Sequence, residues 1–234
     1  SRSKGNPFFM DEIILSVKSN KGIEVQADGS YKISRRSKEI AIPDSINDII
    51  LSRLDKLDNK SKRILKIASV IGRVFQINIL NQLKEFQQKV SGLNLKSRLF
   101  DLTKMDFTMF EISKDDEYLF KHAITRDAVY ETLLYSLRKK YHEEIARIYE
   151  ENSGERIENY YELIAFHYDN TNNSLKAKKY LFLSAEKSFG NFAYDGALNY
   201  IKMYRKHRLN KEEKAQSYLF ESEILRIIEK RDKA

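Results

Sequence analysis

The residues best suited to chemistry in this chain are its four histidines, because an imidazole can bind a metal, move a proton or meet a phosphate near neutral pH. His142, His167 and His207 fall on separate predicted helices with no second ligand one helical turn away, and His122 lies just before another. With no cysteine in the chain there is neither a thiolate metal site nor a disulfide framework. No metal ligands are therefore expected. Serines and aspartates are abundant, but no G-x-S-x-G elbow presents a nucleophile. The adjacent carboxylates Asp115-Asp116 and Glu143-Glu144 fall in a predicted turn and on a predicted solvated helix face, poor settings for acid–base work. There is also no G-x-x-x-x-G-K-[ST] phosphate cradle and no strand ending in paired acids. No catalytic residue is assigned, and an enzyme is not expected in this segment. Two features remain for binding: the turn Gly5-Asn6-Pro7 and the lone His122, which precedes a predicted helix.

The elements that must position these residues are mainly helical. Only Pro7 and Pro43 interrupt 234 residues, and apolar residues recur at helical spacing through most of the chain. Alternating patterns predict strands in two places only. One is Gly22 to Ser34, where Ile23 and Val25, then Tyr31 and Ile33, flank an Asp28-Gly29 turn; the other runs from Phe107 to Ile112 and from Glu117 to Phe120. Helices are expected from Pro7 to Gly22, from Pro43 to Asp58, from Ser61 to Gly72, from Ile77 to Phe86 and from Leu93 to Met105. Beyond His122 the pattern is helical almost without relief: Ala123 to Leu137, Arg138 to Asn152, Tyr160 to Tyr168, Ser174 to Phe189, Tyr194 to His207 and Lys211 to Lys230.

Three domains follow: residues 1–58, a helical lid with a β-hairpin; residues 59–121, three helices and a two-stranded wing in winged-helix order; and residues 122–234, antiparallel helix pairs at a loose period of roughly 35 to 40 residues. Ala165, Ala177, Ala185 and Ala197 mark places where those helices approach closely, as in tetratricopeptide-like arrays, although the full repeat consensus is absent. The Tyr-rich helices, with Tyr160, Tyr161, Tyr168, Tyr180 and Tyr200, read as repeat packing.

The net charge of +8 raises the question of nucleic acid. Lys96, Arg98 and Lys104 on the third helix of the winged module could meet phosphates, but Asp101, Asp106, Glu111, Asp115, Asp116 and Glu117 surround them and would repel a phosphate backbone. Packing or hinging is the better expectation for this module, with stand-alone DNA binding or a transcription-related helical scaffold as the alternative. No apolar run is long enough to cross a bilayer and no signal-type segment follows the basic start, so a cytoplasmic setting without membrane contact is expected.

The succession GNPFFMDEI, IPDSINDIILSRLDKLDNKSKRILKIASVIGRVF and YLFKHAITRDAVYETLLYSLRKKYHEEIARIYE resembles the C-terminal half of STAND ATPases, of the kind found in multidomain signalling proteins beside adenylate or guanylate cyclase domains. The three motifs occur in the family's order. The resemblance implies a chain read in mid-molecule, with an upstream P-loop domain as the first partner, ATP or ADP with magnesium as that domain's ligand, and helical repeats for protein partners. On this reading the opening stretch is a cut edge of a longer chain.

Two residues carry specific expectations from the resemblance. Pro7, with Gly5 allowing close backbone approach, matches the family's Gly-x-Pro turn, whose proline walls the adenine; a plain helix-starting proline is the alternative. His122 matches the histidine of a Met-His-Asp motif that touches the ADP diphosphate. Lys121 and Ala123 stand where that motif has Met and Asp, so only the histidine carries over. Lys121 and Arg126 would add positive charge to the same surface. The alternative for His122 is a residue that caps the helix or packs against the wing.

Overall fold

The structure, a computed structural model, describes residues 10, 14, 23–26, 30–33, 45–89, 95–110 and 116–232. Gly5 and Pro7 lie outside these residues, as do the Asp28-Gly29 turn and most of the expected lid. The described chain is mainly helical, with two small antiparallel sheets. It divides into two compact units: Ser1–Leu80 with Gln88–Leu133, and Asn81–Gln87 with Leu134–Ala234.

In the first unit, strands β1 (Ile23–Val25) and β2 (Tyr31–Ile33) pair with Val25 opposite Tyr31 and Ile23 opposite Ile33, as the alternation predicts. Helix α1 (Ile46–Asp55) opens on Ser45, whose Oγ accepts the Asp48 N–H at 3.1 Å. Helix α2 (Asn59–Ile71) is capped by Asp58, whose carboxylate accepts the N–H groups of Lys60 and Ser61 and the Ser61 hydroxyl. The helix therefore begins two residues before the expected Ser61. Ile64, Leu65, Ile67, Ala68 and Ile71 form its buried stripe, and Gly72 ends it at φ 153°, where an added Cβ would lie 3.3 Å from the Val74 carbonyl oxygen.

A third strand then appears that the sequence pattern does not predict. β3 (Val74–Gln76) is followed by α3 (Ile77–Gln82), α4 (Lys84–Lys89), α5 (Leu95–Lys104), β4 (Thr108–Phe110) and β5 (Glu117–Phe120), and the sheet order is β3-β5-β4. β3 is too short for an alternation to stand out and runs straight into a helix. Its partner supplies the order: Phe75 sits opposite Tyr118 in the ladder, and its ring packs 5.6 Å from Phe120.

The helix after His122 also differs from the expectation. It is broken into α6 (Ala123–Glu131) and α7 (Tyr135–Ser153), with Thr132 closing the first on its own hydroxyl-to-Val129 carbonyl bond. α6 buries Ala128 and Val129 and packs on α1 and α2, so the first unit runs to Leu133, past the expected boundary at 121/122. Leu134, inside the helix expected from Ala123 to Leu137, is instead 70% exposed at the break.

The second unit is a run of paired helices: α7, a 3-10 turn over Gly154–Tyr160, α8 (Tyr161–Asp169), α9 (Ser174–Gly190), α10 (Tyr194–Tyr204) and α11 (Lys211–Asp232). Lys187 reaches Glu162 while Tyr180 stacks on Tyr168, so α8 and α9 run antiparallel; Phe189 on Tyr194 and Phe182 on Tyr204 show the same for α9 and α10. Ala165, Ala177, Ala185 and Ala197 are all fully buried, as close helix approach requires.

Candidate functional site

His122 stands where strand β5 hands over to helix α6. Phe120, fully buried, anchors the strand; its N–H donates to the Arg73 carbonyl and the next N–H, of Lys121, to the Phe107 carbonyl. His122 then takes the N-cap position in extended conformation, and its carbonyl accepts the N–H groups of Thr125 and Arg126. The half-buried imidazole makes no cap hydrogen bond. A side-chain cap, one alternative for this residue, is therefore not its role. The N–H groups of Ala123 and Ile124 have no acceptor within the helix, which leaves the positive end of α6 beside the imidazole.

The flanking cations do not add to this charge as expected. Lys121 pairs with Asp106, itself in the left-handed region at φ 59°. Arg126 donates to the Ser69 carbonyl at 2.7 Å, pairs with Asp127 at 3.0 Å and lies over the Tyr130 ring. Both side chains serve to fix α6 and the end of β5, and the charge they bring is balanced locally. One turn into α6 the Thr125 hydroxyl is buried and has no hydrogen-bond partner among the described residues. A buried hydroxyl without a partner is costly. Thr125→Val should therefore raise the stability of this unit by about 1 kcal/mol in denaturant titration, and a loss of that size would show that the hydroxyl is bonded.

The alternative surface is α5, which buries Leu95, Leu99 and Leu102 and presents Lys96, Arg98 and Lys104. Lys96 meets Asp116 at 2.5 Å, Arg98 holds Asp58 at 2.9 Å, and Lys104 lies over the Phe100 ring. The Asp58 carboxyl is held below its usual range, first by the Ser61 hydroxyl and the neighbouring N–H groups, with Arg98 adding to them. A duplex phosphate would have to displace these carboxylates. A cleft of about 590 Å³ opens beside them between α1 and α5, where the buried Arg53 donates to the Met105 carbonyl at 2.6 Å and lies over Phe107.

In the second unit the sequence reading missed two arrangements. His142 and His167, expected to be scattered, meet in the core with their Nδ1 atoms 2.8 Å apart, 1% and 0% exposed. Nothing in the sequence announces this pair, since the two positions are 25 residues apart, with the rest of α7, the 3-10 turn and the start of α8 between them. His207 instead joins Asp169 at 2.8 Å and Ser174 at 3.2 Å. No group of three potential metal ligands occurs among the described residues.

The second arrangement centres on Glu150. Its carboxylate accepts the hydroxyls of Tyr168 and Tyr180, each at 2.6 Å, and both oxygens take the Lys176 ammonium. Burial pushes its pKa up, but Lys176 and the two hydroxyls outweigh burial and hold it below the ordinary value. Burial and the same carboxylate push both tyrosines up, so they stay protonated donors. Nearby, Glu144 corrects the expectation of a solvated Glu143-Glu144 face: Glu143 is exposed, whereas Glu144 is buried and accepts the Lys84 N–H at 2.6 Å.

Among the described residues no helix is long and apolar enough to cross a membrane. Comparison with protein-family models, with curated proteins and with solved structures finds no match.

Proposed function

We propose that this chain is the regulatory, non-catalytic part of a STAND-type ATP-binding signalling protein, coupling the nucleotide state of a P-loop domain to helical repeats that bind protein partners. The observation that carries the reading is His122 at the end of β5, half-buried, at the N-cap position of α6 beside the positive end of that helix. The order α2, β3, α3, α4, α5, β4, β5, with β3 completing the sheet, supports reading residues 59–121 as a winged helix. The donor set suits one anionic group: an imidazole and two helix-end N–H groups can hold a phosphate oxygen, and the absent domain would supply the remaining contacts and magnesium. The energy of such a switch comes from the difference between the contacts made to the two nucleotide states. Within the cell the reading implies a cytoplasmic protein.

Two measurements test this. The open reading frame should encode a P-loop within about 300 residues upstream, a domain or two; its absence there overturns the reading. In the protein that includes that domain, His122→Ala should speed ADP release about tenfold or more, the loss of one charge-assisted contact to phosphate. Unchanged release would remove His122 from the proposal. Salt-dependent duplex binding that disappears on changing Lys96 and Arg98 would replace the switch reading with a DNA-binding one.

A further inference from the structure

Three polar residues from separate helices of the second unit meet at one end of the run. Because α8 and α9 are antiparallel, and α9 and α10 likewise, the end of α8, the start of α9 and the turn after α10 lie together. Asp169 is the last residue of α8 and Ser174 the first of α9. His207 follows α10, its N–H donating to the Tyr204 carbonyl at 3.2 Å. Its Nε2 lies 2.8 Å from Asp169 Oδ1, and its Nδ1 lies 3.2 Å from Ser174 Oγ. The imidazole and the carboxylate are 15% and 25% exposed, sheltered but open to solvent.

The order of these contacts places the protons. A carboxylate only accepts, so the neutral imidazole carries its proton on Nε2 and turns the Nδ1 lone pair toward Ser174, whose hydroxyl donates. A hydroxyl, a base within hydrogen-bond reach and a third group that orients the base is the arrangement that activates a serine. The start of α9 adds a fourth part. The Ser174 N–H donates to the Asn172 carbonyl, the Lys176 N–H to the Asn173 side chain and the Ala177 N–H to the Asn173 carbonyl. The N–H of Leu175 has no acceptor among the described residues, and it belongs to the residue after the serine, at the positive end of the helix. It supplies one donor for the oxyanion that forms when the hydroxyl attacks a carbonyl.

We infer that Ser174 is an acylation site, which takes an acyl group from an activated ester whose leaving group is a phenolate or a thiolate. The bond from Ser174 Oγ to the carbonyl carbon forms and the bond from that carbon to the leaving group breaks. The hydroxyl proton passes to His207 Nδ1 and from there to the leaving group, so His207 ends neutral. With a single oxyanion donor the step is confined to good leaving groups, since a missing donor costs about 10²–10³ in rate. The acyl-serine produced is an alkyl ester with a poor leaving group, so it persists as a modification of the chain. His207 acts on the reacting hydroxyl, and Asp169 is a positioning residue. The inference uses none of the residues assigned to the nucleotide switch and does not depend on that reading.

The test exposes this chain to p-nitrophenyl acetate and follows the acetyl group residue by residue with peptide mass spectrometry. Ser222, exposed and with its hydroxyl donating only to the Leu219 carbonyl, is the reference serine in the same molecule. Ser174 should be acetylated about a hundredfold faster than Ser222, the gain a positioned general base gives, and the two should react alike in denaturant. His207→Gln, which keeps a hydrogen-bonding side chain but no base, should remove most of the difference while helical circular dichroism stays unchanged. Asp169→Asn should lower the Ser174 rate about tenfold or more, and Asp169→Glu, which keeps the carboxylate, should lower it less. Ser174 reacting no faster than Ser222 in the folded chain overturns the inference. So does an acetyl group held on His207 in place of Ser174, or an excess rate at Ser174 that survives both His207→Gln and Asp169→Asn.

Discussion

Replacing Glu150 by alanine should destabilise the second unit by about 3 kcal/mol, because hydrogen bonds to a charged acceptor are worth about 1.5–3 kcal/mol each and the two tyrosines left behind are buried. Tyr168 and Tyr180 are each 2% exposed and would keep hydroxyls without their acceptor, while Lys176 loses its counter-charge. Water entering the adjacent cleft of about 380 Å³ limits the loss, which otherwise would be the sum of three bonds. For a unit of roughly a hundred residues this corresponds to about 10–20 °C in Tm. Glu150→Gln, which keeps one acceptor, should cost about half as much. Glu151→Ala is the control: that side chain is 66% exposed and pairs with Arg147 at 3.5 Å, so its loss should stay within about 0.5 kcal/mol. Equal effects at 150 and 151 would contradict the assignment.

The same carboxylate predicts a pH dependence of definite sign. Its folded pKa lies below the ordinary 4.5, so the folded state favours the charged form. The stabilisation it gives is complete above the ordinary value and is lost as the pH falls from there through the lowered folded value. Acid unfolding of the wild type should therefore be steeper below about pH 4.5 than that of Glu150→Gln, which carries no such proton. Parallel curves would show that Glu150 is not the group responsible.

Phe120→Ala should cost the first unit about 3–5 kcal/mol, the usual loss for emptying a fully buried aromatic site. The ring packs against Phe75, and the Phe120 N–H and the following Lys121 N–H hold the end of β5 to the Arg73 and Phe107 carbonyls. The effect should therefore spread in one direction. Hydrogen exchange should accelerate at Phe120, Lys121 and the first turn of α6 more than in α1, because His122 and the helix start are carried by that strand end. Phe110→Ala, at a position 45% exposed on the outer strand, should cost under about 1 kcal/mol. If the two substitutions cost the same, the sheet is not what positions His122.

Much of the fold was legible because burial follows period. In α2 all five residues chosen by helical spacing, from Ile64 to Ile71, are buried, and in α7 the same holds for Tyr141, Ile145, Ile148 and Tyr149. β3 escaped because three residues carry too little alternation and its order comes from Tyr118 and Phe120 across the sheet. The break at Thr132–Leu134 escaped because no Gly or Pro marks it; a hydroxyl bonding back to the Val129 carbonyl ends the helix instead. The site is less legible for a different reason. His122 could be singled out by resemblance and by its place before a helix, but the partners of Lys121, Arg126, Lys96 and Arg98 depend on tertiary contacts that no spacing encodes. Glu150 and the pair His142–His167 belong to the same class, polar groups whose partners arrive from another helix. Gly5 and Pro7 lie outside the described residues.

The contact between His142 and His167 also makes two chemically identical residues unequal. A bond between two Nδ1 atoms contains one proton, so in the neutral pair one ring is the Nδ1–H tautomer and the other the Nε2–H tautomer. In solution a neutral imidazole favours neither strongly and exchanges between them, whereas here each ring can change only if the other changes with it. The helix pair α7–α8 thus carries a coupled proton arrangement, with the rings of Phe166 and Tyr149 packed around it.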